Sequence, residues 1–309
     1  MAGGYAACAM PDEAAIALEL AALSVAEIVD AAGARGASVA VRRVARALAS
    51  IPSRRLGRRL ARFDADIAAH GLGAAARSVL RAFGAELVVT GRIPASGGVL
   101  VITNHPGAYD SLAMMAALGR DDVALVAADR AFLRAMPHVS EHLLFVTDSG
   151  GSGSTLGRAA GLRAALAWLG RGRVLVQYGA GAIEPDLRFA RAGDEVLGAW
   201  SDGTGLLVAQ ALKQGAFVVP AFVSGVHSPR VKSLPLVRWA ERRGITTVAL
   251  LLQATLPGFR DVEIRVRIGG ALDGDARAAL AAETTHAGRT ARMRAAVASL
   301  APRAAGGRS

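Results

Sequence analysis

The chain has 309 residues and is 52% apolar, so it can form one large domain or two small ones around a sizeable core. Its single cysteine, Cys8, excludes an internal disulfide and a cysteine-based zinc centre and suits a reducing cytoplasm; no signal peptide is expected before it. The net charge is +11 and unevenly placed: residues 1–34 hold five acids and no Lys or Arg, while residues 35–92 hold twelve Arg against Asp64, Asp66 and Glu86.

Taken in chain order, residues 13–84 show apolar side chains at helical spacing, with Gly and Pro mostly between segments. A helix start is predicted at Pro52-Ser53. After it, Leu56, Leu60 and Phe63 form one stripe flanked by Arg54, Arg55, Arg58, Arg59 and Arg62. A basic helix with an apolar stripe suits the interface of an anionic membrane; alternatively the stripe packs on the rest of the protein and the Arg side chains are solvated. Nothing reaches the ~18–20 uninterrupted apolar residues of a spanning helix; Gly244 to Phe259 is too short and contains Pro257.

From about residue 86 short apolar runs alternate with helical patterns. Strands are predicted at 86–90, 98–103, 123–128, 143–147, 173–178 and 216–223, and helices at 108–118, 155–169 and 204–214. Continuous apolar runs suit strands buried on both faces, so the fold class is α/β, with a largely parallel central sheet flanked by helices and preceded by an N-terminal helical region. Val262, Ile264, Val266 and Ile268 alternate with polar residues and predict a last strand with one face more exposed. An Arg-rich helical tail follows. The expected organisation is 1–84 helical and Arg-rich, 85–275 catalytic, and 276–309 a C-terminal tail.

The chemistry concentrates in Val99-Leu-Val-Ile-Thr-Asn-His105-Pro-Gly-Ala-Tyr-Asp110, a strand, a sharp turn and a helix start. On an ideal helix positions five apart point ~140° from each other, so His105 and Asp110 meet only across a non-helical turn. Pro106-Gly107 supplies that break. A neutral imidazole so held takes the proton of an acceptor hydroxyl as the oxygen attacks a thioester carbonyl. The carboxylate fixes the tautomer and stabilises the imidazolium. Backbone N–H groups near the helix start are candidates for the oxyanion. No metal is expected.

Asn104 to Asp110 resembles the N-H-x4-D signature of the glycerol-phosphate/lysophosphatidate acyltransferase family. Further blocks follow in that family's order. They are Ala131 to Pro137 with Leu144 to Asp148, then Val174 to Asp186, then Val218 to Gly225. The resemblance spans about residues 85–270. It implies His105 as base, Asp110 as its partner, and substrate contacts at Asn104, Gly107, Tyr178, Gly181, Glu184 and Pro220. It further implies acyl-CoA or acyl-carrier protein as donor, a glycerol-phosphate or lyso-lipid acceptor, and no bound cofactor. An anionic membrane surface as partner and a cytoplasmic, peripheral location follow from the lipid substrate.

The sequence departs from the family where Asp148 replaces an Arg thought to hold the acceptor's phosphate, and where Gly179-Ala180 replace Glu-Pro. Arg158 and Arg163 are possible substitutes. Glu184 either binds an acceptor hydroxyl or caps a turn with Pro185-Asp186, and the Gly/Ser-rich stretch 148–157 is either a lid or a linker. Pro220 inside its apolar run predicts a strand bend or an edge. A serine hydrolase is excluded because no G-x-S-x-G is present. A nucleic-acid partner is not expected, since residues 35–92 hold only Phe63 and Phe83 as aromatics. A nucleotide-binding or purely scaffolding α/β protein remains an alternative and requires His105 and Asp110 to diverge; a non-catalytic lipid-binding α/β protein at a membrane surface is the other.

Overall fold

The computed structural model describes residues 12–31, 38–146, 153–189, 195–243 and 247–302. Cys8, Asp148 and the first half of the Gly/Ser-rich stretch lie outside them. The chain opens with α1 (Glu13–Ala31), α2 (Val39–His70) and α3 (Leu72–Ala82), then β1 (Ala85–Thr90) and β2 (Val99–Thr103). Next come α4 (Asp110–Ala117), β3 (Val123–Ala128), the short α5 (Ala131–Arg134) and α6 (Pro137–Glu141), and β4 (Leu143–Val146). The helix α7 (Gly153–Gly170) leads to β5 (Val174–Tyr178), α8 (Asp202–Lys213) and β6 (Phe217–Ser224). The chain closes with α9 (Pro229–Ser233), α10 (Pro235–Glu241), α11 (Thr247–Thr255), β7 (Val262–Ile268), α12 (Gly274–Ala282) and α13 (His286–Ala298).

The fold is α/β. Seven strands form one sheet in the order β1-β7-β6-β2-β5-β3-β4. The five strands β6, β2, β5, β3 and β4 are parallel; β7 runs antiparallel to β6, and β1 parallel to β7. The apolar runs divide between two cores by simple alternation. Val99, Val101, Val174, Val176 and Val219 face α1–α4, and Leu100, Ile102, Leu175, Val218 and Phe222 face α7, α8 and α13. Burial on both faces explains why these strands carry no polar alternation. The last strand β7 does alternate, as expected.

The N-terminal helices share the first of these cores, through Ile16, Leu20, Leu72 and Leu80. Two expectations for them are corrected. No helix starts at Pro52: α2 runs through it from Val39 to His70. Proline costs about 3 kcal/mol in a helix interior. Packing of Ala49, Leu56, Leu60 and Phe63 onto α1 and the core offsets that cost. The same burial settles the stripe. Leu56, Leu60 and Phe63 face inward and are unavailable to a bilayer. The helix expected from residue 155 begins at Gly153.

The strand β6 is not an edge, as Pro220 suggested. It lies between β7 and β2. Its ladder with β7 begins one residue on, at Ala221. There the Pro220 carbonyl accepts from the Gly269 N–H at 2.8 Å, and the missing Pro220 N–H falls at the ladder's end.

Candidate active site

The central strand β2 brings the key turn to the carboxyl rim of the sheet, where open α/β sheets place ligands. Parallel register sets Thr103, the last residue of β2, beside Tyr178 of β5 and Ala221 of β6. The loops after these three strands meet at this rim. Asn104 ties two of them together: its amide donates to the Val223 carbonyl at 2.8 Å and accepts from the Val223 N–H at 2.7 Å.

The turn is left-handed at two successive residues, Gly107 (φ 79°) and Ala108 (φ 51°). A β-carbon at Gly107 would also lie 3.3 Å from Ile183. Such a conformation costs a non-glycine residue about 1–3 kcal/mol. It reverses the chain so that Asp110, the first residue of α4, points back at His105. The Asp110 carboxylate accepts from His105 Nδ1 at 2.7 Å and from the Gly107 N–H at 2.8 Å through Oδ2, and from the Ser111 hydroxyl at 3.2 Å through Oδ1. A buried carboxylate is an acceptor, so Nδ1 carries the proton and the Nε2 lone pair is left free. The imidazole is 26% exposed and Asp110 is 2% exposed, so the ring reaches solvent while its partner lies inside.

Glu184 holds the turn from beneath. Its Oε2 accepts the His105 N–H at 2.9 Å, and its own N–H donates to the His105 carbonyl at 2.7 Å. Its Oε1 accepts from the Gly198 N–H at 2.8 Å and from the Trp200 indole at 3.0 Å. The Tyr178 ring stacks on His105, with centroids 4.2 Å apart, and its hydroxyl bonds to Ser111 at 2.8 Å. Thus Ser111 links the partner of His105 to the ring beneath it.

No protein-family model matches this chain, and no curated protein matches it. Its fold is similar to the crystal structure of the 1-acyl-sn-glycerophosphate acyltransferase PlsC from Thermotoga maritima. The TM-score is 0.43, with 15% identity over 73% of this chain and 79% of that one.

His105 and Asp110 come together, as the non-helical turn requires, and Gly107, Tyr178, Asn104 and Glu184 surround them. Gly181 stands exposed on the rim with φ 65° and open space beside it. Pro220 lies within β6, beside Ile102 of β2. The N–H groups of Gly107, Asp110 and Gly181 already donate within the protein, so none of these three is free for an oxyanion. Arg163 is exposed on α7, and the side chain of Arg158 lies outside the described residues.

Sequence reasoning missed Ser111, Trp200 and Asp186. Asp186 accepts N–H groups from Gly225 at 3.0 Å and His227 at 3.3 Å and so ties the loop after β6 to that after β5. The available signal was two carboxylates flanking a proline in the loop that follows a buried strand. Acids placed there are partnered.

Gly179, where the family pattern has another residue, is explained by Trp200. A β-carbon at 179 would lie 2.4 Å from the indole ring. Gly179→Ala is expected to push Trp200 off Glu184 and lower stability by about 1–3 kcal/mol. Thermal melts and tryptophan emission read this, and an unshifted melt with unchanged emission would refute the contact.

Burial opposes the charged form of His105, but the hydrogen bond and charge of Asp110, with the charge of Glu184, outweigh it and raise its pKa above the ordinary 6.5. His105 therefore adds stability that is complete below its ordinary value and fades as pH rises through the raised one. A general base must be neutral, so a reaction that used Nε2 as its base would slow as pH drops through that raised value. Asp110→Asn removes the anion, so the limb of the pH–rate profile is expected to move to lower pH while the plateau falls. A limb that stays in place would separate Asp110 from the titration.

Proposed function

We propose that this chain is an O-acyltransferase. It moves a fatty acyl group from an acyl thioester, acyl-CoA or acyl-carrier protein, to a hydroxyl of a glycerol-phosphate, lysophospholipid or related lipid acceptor. The observation that carries this reading is the 2.7 Å contact of His105 Nδ1 with buried Asp110, made across a left-handed turn at the sheet's carboxyl rim, which leaves the Nε2 lone pair free.

Nε2 takes the acceptor's hydroxyl proton as the oxygen attacks the thioester carbonyl. The tetrahedral intermediate collapses, the carbon–sulfur bond breaks, and the departing sulfur takes the proton back from the imidazolium. Asp110 stabilises the imidazolium between these steps. Tyr178, Asn104 and Glu184 act by holding the His105 turn. Gly181 has the room to let a substrate approach, and exposed Ile183 offers it an apolar neighbour. Pro220 supports the turn from the adjoining strand. The protein works on the cytoplasmic face of the membrane, where a lipid acceptor resides.

The acceptor is found by offering labelled long-chain acyl-CoA and acyl-carrier protein with glycerol 3-phosphate, lysophosphatidate and neutral lysophospholipids. A labelled ester with at least one pair is expected. No ester above a protein-free control with any pair would sink the reading.

A further inference from the structure

Arg55, Arg58, Arg59 and Arg62 recur at i, i+3, i+4 and i+7 and so share one face of α2. The neighbouring apolar stripe, Leu56, Leu60 and Phe63, is buried. The four arginines line a groove of about 340 Å³ against α3, completed by Asp66 and Ser78 and by apolar atoms of Phe63 and Val79. Asp66 is the only acid there and is taken by Arg62 at 2.9 Å. Among the described residues no carboxylate lies within ion-pair distance of Arg55, Arg58 or Arg59.

Arg59 is held in place. It donates to the Ala254 carbonyl at 2.8 Å and lies over the Phe83 ring. Burial, then the nearby charge of Arg260, and to a lesser degree that of Arg55, press its pKa below the ordinary value; Asp66 is the one acid that lines the groove, against four arginines. Guanidinium forks match the oxygens of a phosphate, and the apolar wall suits the carbon side of an ester. None of the residues lining this groove belongs to the His105 site. Phe83 also stacks on Tyr109, next to Asp110, so the groove abuts the helix that carries the site.

We propose that this groove is a binding site for a phosphate-ester anion. It does not depend on the acyltransfer reading. Two sources share the chemistry, a phospholipid headgroup and a soluble phosphate ester.

The test uses the full chain, a variant carrying Arg55→Gln with Arg58→Gln, and a control carrying Arg43→Gln with Arg46→Gln, exposed on the same helix outside the groove. Inorganic phosphate is titrated into each by calorimetry, and each is sedimented with phosphatidylcholine vesicles with and without phosphatidylglycerol. The groove pair is expected to weaken anion binding by about tenfold or more, while the control stays near wild type. A headgroup source makes sedimentation on phosphatidylglycerol depend on the groove pair. A soluble source leaves sedimentation unchanged while phosphate titration responds. Equal weakening by both pairs, or no binding of either probe to the wild type, overturns the proposal.

Discussion

His105→Ala is expected to lower acyl transfer by about 10²–10⁴-fold in a protein that remains folded. The rate loss follows from geometry. Asp110 bonds Nδ1, so Nε2 is the nitrogen available to an acceptor hydroxyl. The fold survives because the truncated ring is partly exposed. Asp110 keeps the Gly107 N–H and the Ser111 hydroxyl as donors, so loss of one bond to a charged group costs about 1.5–3 kcal/mol. Transfer is measured by product ester and folding by thermal melt. Activity within threefold of wild type would remove His105 from the mechanism; a collapse of the melt would make the rate uninterpretable, and His105→Gln, which keeps a polar group near Asp110, then serves.

Glu184→Ala is expected to have the largest effect on stability, about 3–5 kcal/mol. Glu184 is 5% exposed and accepts three donors from two distant parts of the chain: the His105 N–H on one side, and the Gly198 N–H and the Trp200 indole on the other. Removal leaves three donors without an acceptor, and the His105 turn loses the carboxylate that holds its N–H, so transfer falls too. Glu184→Gln keeps the shape but turns one acceptor into a donor, and falls between alanine and wild type. Denaturant melts decide this. A loss of under about 0.5 kcal/mol for the alanine variant would mean that water replaces the carboxylate freely.

Much of the sheet is legible in the sequence because burial on both faces writes itself as apolar runs. All seven predicted strands form, and the expected exposed face of β7 appears as alternation. What is not legible depends on partners distant in sequence. Pro52 reads as a helix start by local rules, yet packing along α1 carries α2 through it. Leu56, Leu60 and Phe63 with their flanking Arg read by local rules as a membrane stripe before a core stripe; the fold places them in the core. Pro220 reads as a bend or an edge because the sequence cannot show that the ladder to β7 starts one residue later.

At the site, the meeting of His105 and Asp110 was readable because Pro106-Gly107 breaks the helix between them. The role of Glu184 was not. Its donors Gly198 and Trp200 lie beyond it in a loop whose path the sequence does not reveal, so a carboxylate with three protein partners looks the same as one awaiting a ligand. The same holds for Ser111, whose link to Tyr178 depends on β2 and β5 being neighbours in register.

The most direct test of the account is the release of free thiol from a long-chain acyl-CoA or acyl-carrier protein by the wild-type protein, with and without the acceptor that gives the best ester yield. Thiol release is expected to depend on the acceptor, to match the ester formed one for one, and to disappear in the folded His105→Ala variant. Thiol release that is indifferent to acceptor, or that persists without His105, would contradict it.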